Sequence, residues 1–201
     1  MQFNLDQDLH TLKQVGVENW EELVSAAAYF VRHQPLYRVK VSPHALTSQE
    51  EAFLRRAGAS GVGDDYDANA IEEKLREAAV EYGQMVASAY SQKGAAECIG
   101  VTPSRVRQRI DQRTLYAIDT PHGRVCPKWQ FTEEGATLPG IDAVLPLISV
   151  NAHPVAVQRF FLTPQVDLED DVDSEVVQFS PVRWLETGHS PKEVMLLARA
   201  L

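Results

Sequence analysis

SQKGAAECIGVTPSRVRQRIDQRTLYAIDTPHGRVCPKWQF, residues Ser91 to Phe131, is the stretch whose reading decides the fold. From Lys93 to Ile99 small and apolar residues recur at helical spacing, so Ala95, Ala96 and Ile99 share a face. Gly100 stands where a chain leaving a helix needs a left-handed residue. Thr102 then offers a hydroxyl cap, and Pro103 fills a first helical position whose N–H needs no partner. Val106 and Ile110 fall one turn apart and can pack back on the first helix, which turns Ser104, Arg105, Gln108 and Arg109 outward or along the edge. This pattern predicts a helix-turn-helix with an Arg/Gln-rich recognition helix. A strand-like run from Leu115 to Asp119, a turn over Thr120-Pro121-His122-Gly123 and a return strand from Arg124 to Lys128 add a small wing. The bland alternative is a packing unit with no ligand.

The run Ala95-Ala96 … Ile99-Gly100-Val101 … Val106 followed by a hairpin resembles the DNA-binding domains of the MerR and excisionase kind over about forty residues. DNA binding would place Ser104, Arg105, Gln108 and Arg109 in the major groove, Arg pairing with guanine and Gln with adenine. Lys93, Arg107, Arg113, Arg124 and Lys128 would serve phosphates or the minor groove beside the wing.

Charge is distributed to match. The chain of 201 residues carries −9 overall. Residues 1–90 hold −6, residues 91–131 hold +4 and residues 132–201 hold −7. The one basic section is the expected helix-turn-helix, and phosphate contact requires such a local excess. The acidic flanks suit a different partner. An apolar fraction of 44% supports real cores, and no apolar run is long enough for a transmembrane helix. The polar, acidic start MQFNLDQDLH argues against a secretory signal, so a bacterial cytoplasmic location without membrane contact is expected. Cys98 and Cys126 lie far apart, with no CxxC spacing and no clustered histidines. They read as small buried hydrophobes rather than as a disulfide or metal ligands.

Before the helix-turn-helix, residues 1–90 read as a helical region. Trp20, Leu23, Val24, Ala27, Phe30 and Val31 form an apolar face that Pro35 ends. Residues 36–41 alternate as a short strand or an extended connector. Ser48-Gln49-Glu50-Glu51 fits a capping box, with Arg55 and Arg56 on a solvated face. Residues 59–67 read as a loop whose GxG lacks the strand and third glycine of a nucleotide site. Ile71, Leu75, Ala78, Tyr82, Met85 and Ala89 make an a/d seam that can face either the first helix or a two-fold mate in a homodimer.

Beyond the wing, Trp129 and Phe131 are expected to seal it onto the helices, and residues 132–139 form a linker. Gly140 to Ile148 opens a helix that Pro146 shortens or kinks, and His153-Pro154 starts another that Thr163-Pro164 stops. The acidic stretch Val166 to Glu175 fails EF-hand spacing and reads as a solvated loop. Ser180-Pro181 and Ser190-Pro191 cap the last two helices. Phe161-Leu162-Thr163-Pro164, Ser180-Pro181 with Trp184-Leu185 and Gly188, and Leu197-Ala198-Arg199 resemble the toxin-binding domain of the Xre/MbcA/ParS antitoxin family across residues 137–201. That resemblance implies a helical domain that neutralises a RES-type, NAD-consuming toxin, with Arg183, Trp184, Leu185, Arg199 and Leu201 at the contact. In that family the usual N-terminal partner is a repressor-like helical domain, whereas here a wing follows the helix-turn-helix and ninety residues precede it.

The chain is therefore expected to be mainly α, in three parts: a helical N-terminal region, a winged helix-turn-helix over 91–131 and a helical toxin-binding domain. The leading expectation is an antitoxin that binds its RES-domain toxin and represses its own operon by binding operator DNA. The alternative is a stand-alone regulator whose C-terminal domain dimerises or senses a ligand. No GxSxG, HExxH, Walker or paired Cys/His pattern occurs and the six histidines are scattered, so no catalytic, metal or cofactor residue is assigned.

Overall fold

A computed structural model describes residues 20–33, 47–57, 68–172 and 175–201. Within them the fold is mainly helical, with two small antiparallel sheets. The expected strand or connector at 36–41 and the loop at 59–67 lie outside the described residues.

Helix α1, Trp20–His33, begins with Glu21 and Glu22 where the helix dipole favours negative charge. It buries Ala26 and Phe30, whereas Val24, expected in the core, is 54% exposed. Phe30, Ala27 and Val31 of the expected face pack in the cluster, and Ala26 joins them in place of Val24. Helix α2, Ser48–Arg56, has its capping box one residue earlier than expected. The N–H and hydroxyl of Thr47 both donate to Glu50 Oε2 at 2.8 Å, and the Glu50 N–H donates back to Thr47 Oγ1. Those bonds hold the Glu50 carboxyl below its ordinary pKa.

Helix α3, Ala68–Ser88, turns part of its seam toward α1. Ala79, Tyr82, Met85 and Val86 are buried in one cluster with Ala26 and Phe30 of α1. Tyr82 and Met85 are thus used within the chain and are not left for a two-fold mate. Gly83 lets the two helices approach: a Cβ there would sit 2.7 Å from the Leu23 carbonyl oxygen and 3.3 Å from Ala27 Cβ.

Strand β1, Tyr90–Ser91, leads into helix α4, Gln92–Cys98, and helix α5, Pro103–Asp111. The wing follows as β2, Ile118–Thr120, and β3, Gly123–Cys126. The sheet order is β1-β3-β2, so the wing carries a third strand that the sequence pattern did not reveal. Tyr90 lies opposite Cys126, and Ile118 opposite Val125.

Four short helices make the C-terminal part. These are α6, Ile141–Val144, continued as a 3-10 turn through Pro146; α7, Pro154–Leu162; α8, Pro181–Glu186; and α9, Pro191–Ala198. The last three use one device. His153, Ser180 and Ser190 each accept a backbone N–H of the first turn, and a proline follows in each case. The acidic stretch is not a loop. Among the described residues, β4, Glu169–Val172, pairs antiparallel with β5, Glu175–Gln178. Its base is fixed: Leu168 is fully buried, and the Phe179 N–H donates to the Leu168 carbonyl at 2.7 Å. Backbone pairing then proceeds despite the acidic composition, and Asp170 Oδ2 meets His189 Nε2 at 2.9 Å.

Three apolar clusters hold the chain, and their memberships cross the expected boundaries. Val155 of α7 and Ile118 of β2 belong to the cluster of α1 and α3, while Tyr116 and Trp129 pack on the C-terminal cluster. An ion pair of 2.7 Å joins Arg159 of α7 to Glu81 of α3.

His153 sits at this junction, its ring edge-on to Phe30 at 5.1 Å and its Nδ1 accepting the Val155 N–H at 3.2 Å. Burial pushes its pKa below the ordinary 6.5, so the folded state holds the imidazole neutral more firmly than the unfolded chain does. The stabilisation is complete above the unfolded pKa and is lost as pH falls below about 6.5 toward the depressed folded value. Urea denaturation between pH 7.5 and 5 should show that decline, and His153→Asn, which keeps a side-chain cap, should flatten it; an unchanged profile in the variant would refute the assignment.

Candidate nucleic-acid interface

The helix-turn-helix closes as its residues dictate. Ser91 caps α4 by accepting the Gly94 N–H at 3.0 Å, and Gly100 ends that helix with φ 66°. Thr102 accepts the Arg105 N–H at 3.2 Å, and Pro103 occupies the first turn of α5. Ala95, Ala96, Val106, Leu115, Cys126 and Phe131 form the enclosed core of this unit. Cys98 and Cys126 are both free thiols, and burial raises Cys126 to about 11, which leaves it an inert thiol.

Four of the nine residues expected to meet DNA form one outward face: Ser104, Arg105, Arg107 and Gln108 are all exposed on α5. Ser104, Arg107 and Gln108, together with Asp111 and Gln112, line a shallow groove of about 370 Å³. Arg105 Nη1 donates to Gln108 Oε1 at 2.6 Å, which ties those two side chains into one unit. Asp111 and Gln112 were not anticipated, because the helical count gives direction but not which polar neighbours share a groove.

Two arginines leave this face. Arg109 turns to the edge of the unit, where Nη2 donates to the Thr114 carbonyl at 3.0 Å and to Thr137 Oγ1 at 3.4 Å. Burial lowers its pKa from the ordinary arginine value. Arg113 is the one described non-glycine residue with positive φ, 58°, and its Nη2 donates to the carbonyls of Leu145 and Ile148. Both guanidiniums thus donate through Nη2 to carbonyls of their own chain, where α5 ends and the C-terminal part begins.

The remaining three cations lie around the rim. Lys93 is 81% exposed and 3.8 Å from Glu97, and Lys128 Nζ sits 5.1 Å over the Tyr90 ring. Arg124 on β3 reaches Asp111 of α5 at 2.8 Å and Asp119 of β2 at 3.2 Å. Its pKa is raised, chiefly by the bond to Asp111. The wing arginine thus cancels the one carboxylate on the outward face of α5.

What orients this face is the residue pair after the wing. Gln130 is wholly buried; its Oε1 accepts the Tyr116 N–H at 2.8 Å, and its Nε2 donates to the carbonyls of Tyr116 at 2.8 Å and Pro127 at 3.1 Å. Trp129 stacks on Phe161 of α7, with ring centroids 4.3 Å apart and planes 19° from parallel. The expectation that Trp129 seals the wing onto its own helices is corrected: it seals the wing onto the C-terminal part, while Phe131 closes the helix-turn-helix core beside Tyr90.

The residues expected at a toxin contact divide sharply. Trp184 is 8% exposed, stacks on His189 at 4.0 Å and donates Nε1–H to the Ser190 carbonyl at 2.9 Å; Leu185 is fully buried. Both are core residues of their own domain and present no anchor to a partner. Leu201 packs partly buried against the same core. Arg183, paired with Glu186 at 3.1 Å, and Arg199 are exposed. Among the described residues, no group of three or more His, Cys, Asp or Glu is placed to hold a metal ion, and no helix is long and apolar enough to cross a membrane.

No family model matches the chain, and no curated protein matches it. Among solved structures it is similar to Rv2175c, determined by NMR, at 27% identity over 56% of this chain and 79% of that one, with a TM-score of 0.43.

Replacing Gln130 by Leu strands a buried N–H and two buried carbonyls. The variant should lose about 3 kcal/mol of stability in denaturant unfolding, since each such group costs about 1–3 kcal/mol in part-relaxed surroundings; a loss under about 1 kcal/mol would show that water or neighbours replace the amide.

Proposed function

We propose that this chain is a sequence-specific regulator that binds double-stranded DNA through α5 and the β2–β3 wing. The observation that carries the reading is the outward face of α5: Ser104, Arg105, Arg107 and Gln108 exposed together, on a helix capped and seated by Thr102, Pro103 and Val106. A helix of this kind, presenting arginine and glutamine opposite its buried side and followed by a hairpin, has the shape and donors to enter a major groove. The local charge of +4 between acidic flanks supports phosphate attraction confined to this unit.

The antitoxin role implied by the resemblance at residues 137–201 is part of the proposal, with a narrower contact set. Arg183 and Arg199 remain available to a RES-domain toxin, whereas Trp184 and Leu185 do not. Co-purification with a neighbouring RES-domain protein should weaken in the double variant Arg183→Ala, Arg199→Ala while the fold is kept; full retention would remove this contact. A ligand-sensing regulator has one observation in its favour. A cavity of about 380 Å³ lies between α3, the end of α5 and the C-terminal part, with Tyr82, Arg113, Tyr116 and Ser149 in its wall. Filling it with Ala117→Trp should alter DNA affinity if occupancy matters, and leave it unchanged if the cavity is idle.

On a cognate site, Arg105→Ala should cost about 1–3 kcal/mol and relax sequence preference. Arg124→Ala should weaken all sequences alike, because it uncovers the Asp111 carboxylate beside the backbone. Arg109→Ala should affect stability more than affinity, given its internal bonds. Electrophoretic or fluorescence titrations of the three variants check this; wild-type binding by both Arg105→Ala and Arg124→Ala would overturn the interface.

A further inference from the structure

The joined pair on α5 restricts which bases it can read. Gln108 lies two residues beyond the fully buried Val106 and therefore on the opposite side of the helix, at the centre of the outward face. A free glutamine offers one donor and one acceptor, the combination that recognises adenine through N7 and the N6 amino group. Here one of the two acceptor lone pairs is filled: Oε1 receives Arg105 Nη1–H at 2.6 Å, and the positive charge held against that oxygen disfavours a second donor. An exocyclic amino group of adenine or cytosine would have to approach the same atom against this charge. Gln108 is left with the two N–H bonds of Nε2, and Arg105 keeps its Nε and Nη2 hydrogens. Arg107, on the flank of the same face, also carries donors only. Asp111 adds a carboxylate at the edge of this face, and Arg124, 2.8 Å from its Oδ1, offsets that charge.

Resting on the DNA-binding reading above, we propose that Arg105 and Gln108 act as one donor-only unit that selects two adjacent guanines on one strand in the major groove. Guanine shows two acceptors there, O6 and N7, whereas adenine and cytosine show amino donors and thymine shows the single acceptor O4 beside its methyl group. Arg105 takes O6 and N7 of one guanine, and the Gln108 amide donates to the next. The arginine sets the specificity of the glutamine by holding a charge against its oxygen, which turns Gln108 from adenine toward guanine.

The full chain is used to select sites from a random duplex pool, and the bound duplexes are sequenced. Enriched half-sites should share a GpG step. Replacing either guanine by 7-deazaguanine, which removes N7, should weaken binding about tenfold, whereas 7-deazaadenine elsewhere in the site should not. In Gln108→Glu the amide donor becomes an acceptor held by Arg105, and selection with that variant should lose the second guanine while keeping the first. Sites enriched without adjacent guanines, or an ApG or GpA step in their place, overturn the donor-only unit and leave DNA binding standing. A pool that shows no enrichment and no retention on duplex DNA overturns the DNA-binding reading and this inference with it.

Discussion

Gln130 has no water to turn to, and both ends of its amide are committed to the backbone of Tyr116. That constraint fixes the stretch between α5 and β2 against the residues that follow β3. The wing cannot swing relative to α5 without breaking three bonds in a space closed to solvent. Trp129, one residue earlier, carries the same rigidity outward by stacking on Phe161. Arg113 adds a second tie from the end of α5 to the carbonyls of Leu145 and Ile148. The helix-turn-helix keeps a core of its own, and Tyr116, Ile118 and Trp129 join it to the two neighbouring clusters.

How much of this was legible in sequence depended on how local each signal is. The caps, the left-handed Gly100 and the prolines at helix starts act within four residues, and they placed α4, α5, α7, α8 and α9 closely. The two-residue strand β1 has no period to read; it exists only because β3 lies beside it. The acidic hairpin β4–β5 escaped for a related reason: its acids argue for water, while its pairing is decided by Leu168 and Phe179 at its base. The capping box moved by one residue because Thr47 and Ser48 offer the same chemistry and only geometry separates them.

At the candidate interface, direction was legible and commitment was not. Ser104, Arg105, Arg107 and Gln108 share a face because the helical period demands it. Arg109 turns instead to the Thr114 carbonyl and the Thr137 hydroxyl, and Arg113 to the carbonyls of Leu145 and Ile148, partners that are for the most part too distant in sequence for a local window to reveal. Trp184 and Leu185 show the opposite confusion. An aromatic beside an aliphatic residue is what an interface centre and a small hydrophobic core have in common, and here the core takes both.

The triad of Arg124 with Asp111 and Asp119 bears on how the molecule would find a target. A cation already neutralised by its own chain carries no phosphate-directed charge and releases no counter-ion from DNA. Among the described arginines of the stretch, Arg105 and Arg107 on α5 then contribute freely to non-specific attraction, with Lys128 beside the wing, fewer cations than the basic content of the stretch suggests. Residence on arbitrary duplex would be brief, and search would proceed by frequent hops rather than by long one-dimensional slides. Such a surface trades grip for turnover: most of its hold would come from the bases it matches and little from the polyanion itself.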